Sequence, residues 1–120
     1  MNTSTLVLGA SINENRYSNK AIRKLRASKI ETFAIGAKKG IVLDVLIETE
    51  KREYNNLHTV TLYLNPSRQE AYYSYIIQLQ PKRVLFNPGT ENPIFIELLK
   101  ENGIEVDLAC TLVLLATDQY

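Results

Sequence analysis

The sequence is poor in the residues on which catalysis, metal binding and disulfide bonding often depend. It contains one cysteine and one histidine in 120 residues. Cys110 therefore cannot form an internal disulfide, and together with His58 it offers too few ligands for a metal site. No Ser-His-Asp set, purposeful carboxylate pair or phosphate-binding P-loop stands out. These absences favour a binding protein over an enzyme and leave the question of catalysis open.

The sequence also lacks long apolar segments and a strong net charge. No apolar run approaches the roughly 20 residues needed to span a bilayer. The first residues lack the basic region and long apolar run of a signal peptide. We therefore expect a cytoplasmic protein without a membrane partner, and a single cysteine agrees with a reducing compartment. The formal net charge is only +1, so bulk charge does not indicate nucleic-acid binding.

Positive charge is nevertheless concentrated in one segment. Eight of the 14 lysines and arginines lie between Arg16 and Lys39, where Glu31 is the one acid. Such a segment is either a solvated helix face or a local attraction for phosphate. Both interpretations stay open at this point.

Short apolar runs alternate with segments of helical periodicity. Strands are predicted at residues 5–9, 31–36, 41–51, 58–66, 82–89 and 104–110. Helices are predicted over 18–28, after Pro66, and from Thr90 or Asn92 to Asn102, while 111–120 is a closing helix or an apolar tail. Alternation of this kind is typical of a parallel sheet, and its uninterrupted apolar runs indicate strands covered on both faces. The sequence thus predicts one α/β domain over 1–120: a Rossmann-like, doubly wound, mainly parallel sheet with helices on both faces.

Glycine or Asn-Pro follows four of the predicted strands, at Gly9, Gly36, Asn65-Pro66 and Asn87-Pro88-Gly89. Ligands of open parallel sheets bind beyond the carboxyl ends of the strands. Glycine lets a backbone approach closely, and an asparagine amide both donates and accepts hydrogen bonds. Any one of these is routine turn chemistry, but four at the same edge predict a binding crevice.

The polar loop before the first helix predicts a phosphate site. A helix N-terminus favours phosphate through its unpaired N–H groups. We expect Ser18 to cap this helix and Arg16 to hold a phosphate bidentately. Lys38 and Lys39 follow the second strand, where an NAD-binding unit has an acid. A ribose with an additional phosphate, as in NADP or coenzyme A, suits these charges better.

With these features the sequence resembles the small CoA-binding proteins that have a Rossmann-like fold and are related to the CoA-binding domain of acyl-CoA synthetases. The resemblance runs from "LVLGASINENRYSNKAIRKL" through "FNPGTENPIFIELLKENGIEVDLACTLVLL". Its most recognisable parts are "GAS" followed by Arg and Ser before the first helix, and the "NPGTEN" turn.

The resemblance implies non-catalytic binding of coenzyme A or an acyl-CoA, with no metal and no nucleic-acid partner. It implies that the phosphates are lined by Gly9, Ala10, Ser11, Arg16, Tyr17 and Ser18. It implies that the adenosine and its 3′-phosphate are faced by Gly36, Ala37 and Lys38. It implies that the pantetheine arm is bordered by Asn65, Pro66, Asn87, Pro88 and Gly89.

Two other functions remain possible: an NADP-type nucleotide-binding protein or small reductase, and an interaction domain without a ligand. Cys110 either forms a mixed disulfide with the thiol of coenzyme A or packs as a small core residue. His58 is expected at the sheet edge opposite the crevice. Tyr72 and Tyr75 are expected to pack on the sheet, and Tyr73 to be exposed or at a contact of a homo-oligomer.

Overall fold

The computed structural model describes residues 3–120. These residues form seven strands: Thr5–Ala10 (β1), Thr32–Gly36 (β2), Gly40–Val42 (β3), Val45–Glu48 (β4), Thr59–Leu62 (β5), Arg83–Phe86 (β6) and Glu105–Leu108 (β7). They also form five α-helices and one 3₁₀ helix: Tyr17–Ala27 (α1), Pro66–Gln69 (α2), Glu70–Tyr72 (3₁₀), Tyr73–Leu79 (α3), Pro93–Glu101 (α4) and Thr111–Ala116 (α5). Within the described part of the chain, no helix is long and apolar enough to cross a membrane.

All seven strands of this described region belong to one sheet, in the order β3-β4-β2-β1-β5-β6-β7. The neighbouring strands pair in parallel, except that β3 and β4 form an antiparallel hairpin at one edge. β1 and β5 are neighbours although β2, β3 and β4 lie between them in the chain. The strand order therefore reverses between β1 and β5, which is where doubly wound sheets bind ligands. The prediction of a Rossmann-like, mainly parallel sheet is confirmed.

Helices cover both faces of the sheet. On one face, α1 packs Ile22 and Leu25 against Val7 of β1, and Leu115 of α5 joins the same apolar cluster. On the other face, the cluster includes Ile76 of α3 together with side chains of α4. Burial of these side chains provides most of the driving force for folding.

The N-terminus of α1 differs from the prediction. Ser18 does not cap the helix: α1 begins at Tyr17, with Arg16 in the N-cap position and no side-chain cap. Asn13 orders the preceding loop instead, because its Oδ1 accepts from the Asn15 N–H at 2.9 Å and its carbonyl accepts from the Arg16 N–H at 3.0 Å. This local turn lets the helix start before Ser18, which is buried in the first turn.

The predicted helix after Pro66 is divided. Asn65 caps α2, since its Oδ1 accepts from the Arg68 N–H at 3.0 Å. The 3₁₀ segment then shifts the helical register before α3 begins. Tyr73 consequently turns inward, where its ring stacks on Phe95 with centroids 4.3 Å apart. The expectation that Tyr73 is exposed is therefore wrong, and its alternative place at an oligomer contact stays a prediction.

The remaining elements are the β3–β4 hairpin and the helices α4 and α5. Residues 41–51 bend into the β3–β4 hairpin, and residues 111–116 form the closing helix α5. Ile94 of α4 is apolar but 74% exposed. The helix begins at Pro93 with Asn92 as its cap, whose Oδ1 accepts from the Phe95 N–H at 3.2 Å. This start places Phe95 and Leu99 inward and leaves Ile94 on the outer side.

Candidate functional site

Two adjoining cavities lie beyond the carboxyl ends of the strands, around the point between β1 and β5 where the strand order reverses. The larger, of about 720 Å³, extends toward the end of β2 and the 3₁₀ helix. The smaller, of about 370 Å³, extends toward the N-terminus of α1 and the loop at 88–90. Both are lined by Gly9, Ser11, Arg16, Tyr63, Leu64 and Arg68. We call the two cavities together the crevice.

Two glycines allow the strand ends to close the floor of the crevice. Gly9 has φ +97°, and a Cβ on it would lie 3.0 Å from the carbonyl carbon of Tyr63. A Cβ on Gly36 would lie 2.2 Å from the carbonyl oxygen of Ala10. Side chains at either position would force β1 away from its neighbours, so these positions require glycine.

The structure gathers twelve of the fourteen predicted site residues around the crevice. They are Gly9, Ala10, Ser11, Arg16, Tyr17, Ser18, Gly36, Ala37, Lys38, Asn65, Pro88 and Gly89. Their contact with a ligand stays a prediction. Pro66 and Asn87 line neither cavity. Pro66 is exposed as the first residue of α2.

Asn87 is part of the framework beneath the crevice. Its Nδ2 donates to the Leu62 carbonyl at 2.9 Å and to Thr61 Oγ1 at 2.6 Å, and its Oδ1 accepts from the Thr111 N–H at 2.9 Å. It thereby joins the ends of β5 and β6 to the start of α5. Asn87 follows β6 directly, whereas Asn65 comes three residues after β5. Of the two asparagines that precede a proline, Asn87 is therefore buried and Asn65 is exposed.

The loop over the crevice, residues 11–16, is held from below by α1. Asn19 is fully buried, and its Nδ2 donates to the Ser11 carbonyl at 2.9 Å. Its Oδ1 accepts from Arg23 Nε at 2.8 Å, and Arg23 pairs with Glu14 of the loop at 3.3 Å. Sequence reasoning missed Asn19, whose signal is a polar residue on the same helix face as Ile22.

Arg16 and Arg68 differ from the other arginines of the described chain. The other four each pair with a carboxylate at 2.5–4.0 Å: Arg23 with Glu14, Arg26 with Asp44, Arg52 with Glu48, and Arg83 with Asp107. Neither Arg16 nor Arg68 has such a partner, and both line both cavities. Arg68 was missed from the sequence. Its signal is a position just after the Asn65 cap, at the end of a strand of the same sheet.

The lining of the crevice is positively charged and contains no acid of the described chain, and Glu91 lies just outside it, where its Oε1 accepts from the Gly89 N–H at 2.8 Å. Arg16, Arg68 and Lys38 line the crevice, and no Asp or Glu among residues 3–120 does. Tyr63 lines both cavities, and burial raises the pKa of Tyr63 to about 12, so this residue stays neutral. The Ser18 hydroxyl has no hydrogen-bond partner within the described chain and lines the smaller cavity. Such a lining suits an anion with several acceptor oxygens.

The histidine and the cysteine lie outside the crevice. His58 directly precedes β5, at the amino end of the parallel strands and so opposite the crevice, as expected. Its Nδ1 lies 2.7 Å from Thr59 Oγ1. Cys110 is half-buried in the N-cap position of α5 and lines neither cavity. Residues 3–120 contain no cluster of three potential metal ligands.

Comparison with known proteins gives one family and several structures. A family model described as a CoA binding domain matches residues 3–116. The crystal structure of an uncharacterized protein is 45% identical, with a TM-score of 0.97, over 100% of this chain and 99% of that one. No curated protein sequence matches the chain.

Two more distant structures share the fold. The Thermus thermophilus protein cell-free ID.343 is 19% identical, with a TM-score of 0.88 over 99% of this chain and 91% of that one. The dinucleotide-forming acetyl-coenzyme A synthetase 1 of Ca. Korarchaeum cryptofilum, solved with phosphate and ADP, is 11% identical, with a TM-score of 0.74. The match covers 91% of this chain and 26% of the synthetase.

Proposed function

This chain belongs to the CoA-binding domain family, and from that premise we propose that its crevice binds coenzyme A or an acyl-CoA without catalysing a reaction. The observation that carries the proposal is the pair of arginines without carboxylate partners, Arg16 and Arg68, which line both cavities. The guanidinium group forms planar, bidentate hydrogen bonds with phosphate.

The charge of the ligand fits the charge of the lining. A diphosphate and a 3′-phosphate together carry about four negative charges at neutral pH, because a phosphate monoester carries close to two. Arg16 and Arg68 line the part shared by both cavities and bind the diphosphate. Lys38 lines only the larger cavity, at the end of β2, and binds the 3′-phosphate. The smaller cavity, bordered by Pro88 and Gly89, then receives the pantetheine arm.

Binding without catalysis agrees with the side chains that line the crevice. In the described chain, no His, Cys, Asp or Glu lines either cavity, so the serine hydroxyls of the lining have no imidazole or carboxylate base beside them there. Tyr63 keeps its proton because burial raises its pKa to about 12. The lining can therefore hold and orient a ligand but offers little means of transferring a proton.

One observation also supports an NADP-type ligand. The end of β2 presents Lys38 and no acid, which suits the 2′-phosphate of NADP as well as the 3′-phosphate of coenzyme A. Titration calorimetry with coenzyme A, acetyl-CoA, NADP and NAD separates these possibilities. We expect binding of the first two and at least tenfold weaker binding of the last two. If NADP binds and coenzyme A does not, the crevice is a site for an NADP-type ligand. Binding of none would leave an interaction domain without a nucleotide.

A further inference from the structure

The larger cavity has an aromatic side chain on its wall. Tyr72, at the end of the 3₁₀ helix, is half-buried and lines this cavity together with Ile35, Gly36 and Ala37 at the end of β2. Ile35 and Ala37 are apolar residues, and Gly36 has no side chain. Lys38 follows directly. A flat apolar group attached to a phosphorylated sugar would meet compatible surfaces here.

The ring of Tyr72 is held in place from outside the cavity. Lys51 Nζ lies 5.1 Å from the ring centroid, and this same ammonium donates to the Ala71 carbonyl at 2.6 Å. The ring of Tyr75 meets Tyr72 edge-on, with centroids 6.4 Å apart. Neither Lys51 nor Tyr75 lines the cavity, whereas Tyr72 does, so both contacts reach the ring from outside the cavity. Its hydroxyl has no hydrogen-bond partner in the described chain.

Building on the proposed function, we infer that Tyr72 contributes to ligand affinity by stacking on the base of the bound nucleotide. Every base has a π-face, and an aromatic side chain fixed by its neighbours provides a stacking surface with little loss of conformational entropy. The crevice thus recognises the adenine nucleotide of the ligand by its ring as well as by its phosphates.

The test separates the base from the rest of the ligand. Wild type, Tyr72→Phe and Tyr72→Leu are titrated calorimetrically with coenzyme A, adenosine 3′,5′-bisphosphate and 4′-phosphopantetheine, which lacks the nucleotide. Tyr54→Leu is the matched control, because the Tyr54 ring stacks on Phe33 at 4.4 Å and lines neither cavity of the crevice.

Tyr72→Leu should weaken the binding of both adenine-containing ligands by about 5-fold to 150-fold, the range for loss of a stacked aromatic. Tyr72→Phe should bind like the wild type, and phosphopantetheine should bind all four proteins equally. Circular dichroism and a melting curve check that each variant folds. If Tyr72→Leu does not fold, Tyr72→Met replaces it, since methionine fills the space without a planar ring.

Three results would overturn the inference while leaving the proposed function intact. They are unchanged coenzyme A affinity in Tyr72→Leu, an equal loss for phosphopantetheine, and a Tyr72→Phe variant as weak as Tyr72→Leu. If the wild type binds none of the three ligands, the proposed function fails and the stacking role fails with it. That outcome is recognised in the wild type alone, before any variant is compared.

Discussion

The side-chain amide of Asn19 donates a 2.9 Å hydrogen bond to the carbonyl oxygen of Ser11. This bond joins the buried face of α1 to the loop that covers the crevice. Arg23 extends the connection, because it donates to Asn19 Oδ1 and pairs with Glu14. These contacts anchor the loop to α1, and a loop that is already anchored loses less conformational entropy when a ligand binds.

We predict that Asn19→Leu lowers the free energy of unfolding by about 1–3 kcal/mol, because the Ser11 carbonyl and Arg23 Nε lose their buried partner. Coenzyme A affinity should fall as well, since the loop is no longer held. Urea unfolding and calorimetry measure the two effects. Asn15→Ala, an exposed position in the same loop, should change stability by less than about 0.5 kcal/mol. Equal stability of the two variants would contradict the role given to Asn19.

Gly9 provides a second test, of the close approach between β1 and β5. We predict that Gly9→Ala destabilises the protein by more than about 1 kcal/mol, because the new Cβ meets the Tyr63 backbone at 3.0 Å and φ is +97°. Gly103→Ala is the control, since Gly103 also has a positive φ but no atom within 4 Å of the added Cβ. Gly103→Ala thus carries only the conformational strain. Denaturant unfolding should show the larger loss for Gly9→Ala, and the reverse order would refute the contact.

The approximate positions of the strands could be predicted from the sequence because their signals are local, although β5 ends at Leu62 and not at residue 66. Apolar runs indicate buried strands, and Gly9 and Gly36 mark the places where the chain must approach its neighbours. Asn65 likewise indicates the start of α2, where it is the N-cap residue. From these features alone, most of the residues that line the crevice could be predicted to lie at one end of the sheet.

The features that could not be predicted depend on tertiary contacts. Asn65 and Asn87 both stand before a proline after an apolar run. The number of residues between each asparagine and the end of its strand decides which one is buried. Arg68 lines both cavities and forms no ion pair within the described chain, and neither property can be read from the sequence. The 3₁₀ segment turns Tyr73 inward against Phe95. A prediction that assumes a regular α-helical period does not include such a change of register.

The pH dependence of stability offers a third test, at the opposite edge of the sheet. Burial, assisted by the charge of Arg83, lowers the pKa of His58 below its ordinary value of 6.5. The unfolded chain therefore binds this proton more readily than the folded chain. The free energy of unfolding should accordingly decrease as pH falls below about 6.5. Urea unfolding between pH 5 and pH 8, values chosen to bracket that pKa, measures the slope. His58→Gln should flatten it, and an unchanged slope in this variant would assign the effect to other groups.

The arginine pair gives the most direct test of the crevice as an anion site. We predict that Arg16→Gln and Arg68→Gln each weaken coenzyme A binding by about 1.5–3 kcal/mol, which is roughly 10-fold to 150-fold, because each removes charge-assisted hydrogen bonds to phosphate.

The matched control is Arg52→Gln, which removes the same charge from an arginine that pairs with Glu48 at 2.5 Å and lines neither cavity of the crevice. Its affinity should stay within about twofold of the wild type, because solvent and salt screen a charge that does not contact the ligand. Titration at two salt concentrations adds an independent measure: wild-type binding should weaken as salt rises, and each crevice variant should show a shallower dependence. If Arg68→Gln binds coenzyme A as Arg52→Gln does, Arg68 does not contact the phosphates. If both crevice variants match the control, the ligand is held elsewhere, since two guanidinium groups at the phosphates cannot both be removed without effect.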